Sequence, residues 1–88
     1  MQVDERKKEL AEALGRVVKK LRQNANLSAR SIACGMNMSK TTLLLAEQGK
    51  LDPQMSTFCK LAEAFYLKPE EMISLVMKEL PEQWSLAE

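Results

Sequence analysis

The segment from Ser28 to Gly49, "SARSIACGMNMSKTTLLLAEQG", leaves the chain few choices. Ser28 and Ser39 each precede a short run of helix-compatible residues. Serine is a preferred N-cap, because its hydroxyl accepts from a backbone N–H that the first turn leaves without a partner. Asn37 tolerates the left-handed conformation that closes a helix, and Gly49 marks where the next helix stops. The spacing predicts a short helix from Ser28 to about Met36, the turn "MNMS", and another helix from Lys40 to Gln48. Two short helices joined this tightly pack near a right angle, the helix-turn-helix unit. The second helix of such a unit projects and can enter a major groove about 12 Å wide.

The remainder also reads as helix. From about Asp4 to Asn24, the apolar residues Leu10, Leu14, Val17, Val18 and Leu21 recur at spacings of three and four. That is one face of an amphipathic helix, and Asn26 is suited to close it. Ile32, Ala33 and Met36 are the expected inner side of the second helix. After the loop "KLDPQ", broken by Pro53, Ser56 is the expected cap of a fourth helix with an inner face of Phe58, Leu61, Ala62 and Phe65. Pro69 at a first-turn position, followed by Glu70 and Glu71, opens a fifth. Its apolar set is Met72, Ile73, Leu75, Val76 and Leu80, and Pro81 is expected to end it. The expected fold is all-α with five helices in a single domain over residues 1–88.

With 88 residues, of which 45% are hydrophobic and 28% charged, the chain has the composition of one small globular domain. It holds no run of the roughly 18 apolar residues that a membrane span requires. The N-terminus "MQVDERKKEL" is charged and no apolar run follows it, so no signal peptide and a cytoplasmic location are expected. Cys34 and Cys59 are then expected to be free thiols, and with no His a zinc site is not expected. No cofactor, no small-molecule ligand and no membrane partner is expected. Net charge is only +1, but it is unevenly placed. Residues 1–50 hold ten Lys and Arg against five Asp and Glu, and residues 51–88 hold three against seven, giving +5 and −4. A basic part and an acidic part suit a domain that turns one face to a polyanion.

On "VVKKLRQNANLS", "IACGMNMSKTTLLLAEQGKLDP" and "LAEAFYLKPEEM" the chain resembles the lambda-repressor-like, Cro/Xre-type helix-turn-helix domains, from Leu14 to about Leu75. Ala33 matches the small residue where the two motif helices touch, Met38 the apolar turn residue and Leu43 the apolar plug into the core. Asn37 stands where the family most often has Gly, and Pro53 matches the loop proline. Arg22 and Glu47 match a pair that joins the first helix to the third, and a structural role is expected for it. The resemblance implies a dimeric, sequence-specific DNA-binding transcriptional regulator, with residues of about 40–48 in the major groove. It implies a size and architecture like those of small phage or plasmid repressors, restriction-modification controllers and DNA-binding antitoxins.

Site residues follow position by position. Ser28, Ala29 and Arg30 open the second helix, whose N–H groups can meet a phosphate; the family's usual Gln at the position of Ala29 is missing. Lys40, Thr41 and Thr42 form the first turn of the third helix. Lys40 and Thr41 are the expected base-edge contacts, with Ser39, Thr42 and Lys50 on phosphates. Leu44 and Leu45 match two further reading positions, about 100° and 200° round the helix from Leu43. Leucine cannot hydrogen-bond a base, so three readings stay open. The pair contacts thymine methyl groups, or lies half buried without function, or docks a protein partner. The last is the alternative function: an interaction module that keeps the fold and reads DNA weakly or not at all.

One such motif reads only a few base pairs, whereas a twofold homodimer reads two half-sites about 34 Å apart. The fifth helix and tail, residues 69–88, offer Ile73, Val76, Met77, Leu80 and Trp84 as the expected dimer interface. No enzyme is expected, because there is no His, no Gly-rich phosphate loop before a helix, and no base partner for Ser or Cys. Arg6, Lys7, Lys8, Lys19 and Lys20 are expected on solvated faces, and the six methionines as core fillers.

Overall fold

The computed structural model describes residues 3–87, so the first two residues and the last of the expected domain lie outside it. Five helices follow one another: α1 (Val3–Asn24), α2 (Ala29–Gly35), α3 (Lys40–Glu47), α4 (Met55–Ala64) and α5 (Pro69–Lys78). The fold is the all-α, five-helix architecture of a lambda-repressor-like helix-turn-helix domain.

The first four helices end in the same way. Each passes through one left-handed residue: Asn26 (φ 57°), Asn37 (φ 51°), Gly49 (φ 73°) and Tyr66 (φ 59°). The residue after each donates back across the last turn: Leu27 to Arg22 O, Met38 to Ala33 O, Lys50 to Leu45 O and Leu67 to Ala62 O, at 2.8–3.1 Å. These are Schellman closures, which satisfy carbonyls that a helix end leaves open. Three of the four donors are apolar, and Met38 and Leu67 pack on the core. A left-handed residue, an apolar residue and a cap therefore join α1 to α2, α2 to α3 and α4 to α5 in minimal length.

Two boundaries differ from the sequence reading. α4 is capped by Gln54 rather than Ser56. The Phe58 amide already donates to Gln54 O at 2.9 Å, so Ser56 lies within the first turn. α5 ends at Lys78, before Pro81. Proline disfavours helical geometry in the residue before it, and Glu79 and Leu80 already close tighter turns onto Val76 O and Met77 O.

The core is built from Ala13, Leu14, Val17 and Val18 of α1, Ile32 of α2, Leu43 and Ala46 of α3, Leu61 and Ala62 of α4, and Met72 and Val76 of α5. Phe58 and Phe65 pack against it half-buried, and so do Leu75 and Leu80. Among the methionines Met72 is fully buried, but Met55 is 82% exposed and therefore fills no core. The tail turns back along α1. Glu79 receives Arg16 Nε at 2.9 Å and Lys20 Nζ at 3.1 Å. The Trp84 indole donates to Glu9 at 3.1 Å, and Arg6 donates to the Ser85 carbonyl. Arg6 is thus half-buried against the tail, where the sequence suggested a solvated side chain, whereas Lys20 stays exposed as expected while it meets Glu79.

Candidate nucleic-acid interface

The placement of α3 begins with a glycine. Gly15, in the middle of α1, lies so close to the end of α3 that a Cβ there would stand 2.6 Å from Ala46 O and 2.9 Å from Glu47 O. A Cβ on Gly49 would meet Glu12 Cα at 2.9 Å. Only glycine at both positions lets the two backbones approach this far. About two turns further along α1, Arg22 grips the same end of α3. Its Nε and Nη2 donate to the two Glu47 oxygens at 2.5 and 2.9 Å, and Nη1 reaches Leu27 O at 3.2 Å. The paired geometry is the strong form of this contact. The Glu47 side chain is only 7% exposed. Its hydrogen bond raises the already high pKa of the Arg22 guanidinium, against a smaller effect of burial. A carboxylate at a helix C-terminus opposes the helix dipole, so Glu47 is there for the pair. Arg22 and Glu47 thereby tie α1, the α1–α2 turn and α3 together.

At the other end of α3 the hydrogen bonds of the first turn come from within. Ser39 Oγ accepts from the Thr42 amide at 3.0 Å and lies 2.7 Å from the Thr42 hydroxyl. Lys40 and Thr41 are exposed, whereas Thr42 is half-buried. Leu43 is fully buried, as its role of core plug requires. Leu44 is 36% exposed and Leu45 half-buried, and neither belongs to the side chains that pack on the core. Lys50 is exposed just beyond the helix.

In α2 the Ser28 hydroxyl accepts from the Ser31 amide at 3.0 Å. Arg30 is exposed, but Ala29 is half-buried and packs on the core. Any phosphate contact by Ala29 is therefore a backbone one. Ala33 is 3% exposed, as befits the residue between the two motif helices. Lys40, Thr41, Leu44 and Leu45 are spaced so as to share one side of α3.

The C-terminal set is more scattered. Ile73 and Met77 are each 41% exposed, but Val76 is buried. Leu80 packs on its own core and Trp84 is bonded to Glu9. The sequence reading missed Gly15, whose reason lies in another helix, and Glu79, whose partners lie about sixty residues away. Among the described residues no group of three or more His, Cys, Asp or Glu could hold a metal ion. No described helix is long and apolar enough to cross a membrane.

A family model described as a helix-turn-helix domain matches residues 13–75. That span runs from the core face of α1, beside Gly15, to the middle of α5. No curated protein and no solved structure matches the chain.

Proposed function

The chain belongs to the Cro/Xre-type helix-turn-helix domain family, and from that premise we propose that it is a dimeric, sequence-specific DNA-binding regulator of transcription. α3 enters the major groove and α2 lies across the backbone. The observation that carries this reading is the first turn of α3. It offers Lys40 and Thr41 to solvent on a helix whose far end is locked by Arg22 and Gly15. Lys40 donates to guanine or to a flanking phosphate, and Thr41 offers both a hydroxyl and a methyl to base edges. Leu44 and Leu45 meet thymine methyl groups, which gives apolar readout. Ser28, the Ala29 amide, Arg30, Ser39, Thr42 and Lys50 position the duplex through phosphates. The homodimer sets two such helices one turn of DNA apart, and the work is cytoplasmic.

A second reading draws on one observation. Leu44 and, on the α1–α2 turn, Leu27 are exposed at 36% and 38%. An exposed leucine on α3 and another on that turn also suit docking of a protein partner.

Selection of bound sequences from random duplex DNA, at two salt concentrations, separates the two readings. The DNA reading predicts an inverted repeat with A·T pairs opposite the leucines. Affinity falls by orders of magnitude as salt rises, because phosphate contacts release counterions. Lys40→Ala weakens binding about tenfold and reduces the salt slope by about one. If no motif is recovered and every duplex binds weakly, sequence reading by this protein alone is wrong, and the leucines become a protein-docking surface.

A further inference from the structure

We propose that the apolar groove between α1, α4 and α5 docks an amphipathic helix of a partner protein, one whose apolar face is flanked by Lys or Arg. No residue of α2 or α3 lines this groove, so the proposal stands apart from the DNA reading.

The groove holds about 520 Å³, and its walls include Leu10 and Leu14 of α1, Leu51 of the loop, Phe58 of α4 and Ile73 of α5. Leu10 precedes residues 13–75, so one wall is built partly outside the shared domain. Apolar surface continues past the hollow. Met55, also a lining residue, is 82% exposed. Met77, one turn on from Ile73 and on the same face of α5, is 41% exposed. An apolar hollow with an apolar margin suits a helix laid along it, with anchors at spacings of three and four residues. Methionine suits such a margin, since its unbranched chain adapts to whatever side chain meets it.

Charge decides what kind of helix fits. The lining includes two carboxylates, Asp52 in the loop before α4 and Glu70 in the first turn of α5, and no cation. Both are exposed, and among the described residues neither forms an ion pair. The capping bond of α5 comes from Glu71, which accepts from the Lys68 amide at 2.8 Å and leaves Glu70 to face a partner. The loop, α4 and α5 all belong to the part of the chain that carries −4. Cationic side chains beside an apolar face complement this arrangement. Other occupants fit less well. A second copy would bring the same two carboxylates against these, and a phosphate-bearing partner would be repelled. A small apolar ligand would fill the hollow but leave Met77 and most of Met55 in water.

Titration of the full chain with three synthetic peptides tests this. The first is an amphipathic helix of Leu and Lys, longer than about 15 residues so that it can fold alone. The second has Glu in place of Lys. The third has the composition of the first, shuffled so that no apolar face forms. The expected result is that the Leu–Lys helix binds at least about tenfold tighter than either control, with amide shifts concentrated in residues 51–59 and 69–73. In a Cys34→Ser background it also slows alkylation of Cys59, a lining residue. Ile73→Ser weakens its binding about tenfold. Asp52→Asn with Glu70→Gln weakens it about fivefold, as two exposed ion pairs would. Asp52→Lys with Glu70→Lys turns the preference towards the Leu–Glu helix. Circular dichroism checks the fold of each variant. Failure of the Leu–Lys helix to bind would overturn the proposal. Equal binding of the shuffled peptide, or binding unchanged in Ile73→Ser, would reduce the effect to general charge attraction and overturn it too. Protection of Cys59 by raised protein concentration alone would make a second copy the occupant, with the same consequence. None of these outcomes touches the DNA reading, which the duplex selection tests separately.

Discussion

At its N-terminal end α3 is capped by its own residues, Ser39 on the Thr42 amide, and presents Lys40 and Thr41 to solvent. At its C-terminal end it is gripped by a different helix, through the Arg22–Glu47 pair and the close approach at Gly15. One end is fixed by an ion pair and a close backbone approach, and the other is capped locally and shows its first two side chains to solvent. A helix held in this way keeps its direction relative to α1 without spending its exposed first turn on internal packing. Lys40 and Thr41 can therefore vary without disturbing the fold, whereas Glu47 cannot.

Substitutions break this contrast to different degrees. Gly15→Val drives side-chain atoms into the Ala46 and Glu47 carbonyls. It is expected to destabilise the fold by about 3 kcal/mol or more, since backbone can yield little to overpacking. Thermal unfolding measures the loss. Glu47→Ala leaves Arg22 without its partner in a largely enclosed site and is expected to cost about 2–3 kcal/mol. The double replacement Arg22→Met with Glu47→Leu should recover much of that loss, because two apolar side chains leave no orphaned charge. A double-mutant cycle in urea gives both values, and a double variant as unstable as Glu47→Ala would show that the pair is not what anchors α3.

At the N-terminal end the expected effect is smaller. Ser39→Ala removes one cap and should cost about 1 kcal/mol, with α3 frayed rather than displaced. Hydrogen exchange of the Thr42 amide reports it. A smaller effect still is expected in the tail. Hydrogen bonds from Arg16 first, and then Lys20, hold the Glu79 carboxyl below its ordinary value of 4.5. A lowered folded pKa means that the contact stabilises the chain above the ordinary carboxylate range and is lost as pH falls through the folded value. Acid should therefore loosen the tail only below the ordinary carboxylate range, and Glu79→Gln should remove that part of the acid response. The Trp84 emission follows the tail directly. A tail that stays in place in acid would mean that the Trp84 and Ser85 contacts hold it without Glu79.

What could be read from the sequence was what short-range chemistry decides. Ser28 and Ser39 cap α2 and α3 as expected, and Asn26, Asn37 and Gly49 take the left-handed conformation. Each effect reaches only a few residues along the chain. Arg22 and Glu47, 25 residues apart, were legible through the family resemblance and not through spacing. Tyr66 was not legible as a helix stop, because tyrosine has no preference for positive φ. There the closure of α4 onto Leu67 and the start of α5 at Pro69 impose the conformation. Gly15 was hidden for a different reason. Within a helix, glycine is a weak former, and only the carbonyls of α3 explain it. The leucine run was half legible. Spacing put Leu43 in the core and Leu44 outside it, but no local rule assigns Leu44 and Leu45 a role.

The most direct measurement is a titration of the isotope-labelled chain with a selected duplex, following the backbone amides. The account predicts shifts concentrated at Ser28–Arg30, Ser39–Leu45 and Lys50, with Arg22 and Gly15 nearly unmoved because the anchored end keeps its geometry. Shifts spread over α4 and α5, with the first turn of α3 unchanged, would contradict it.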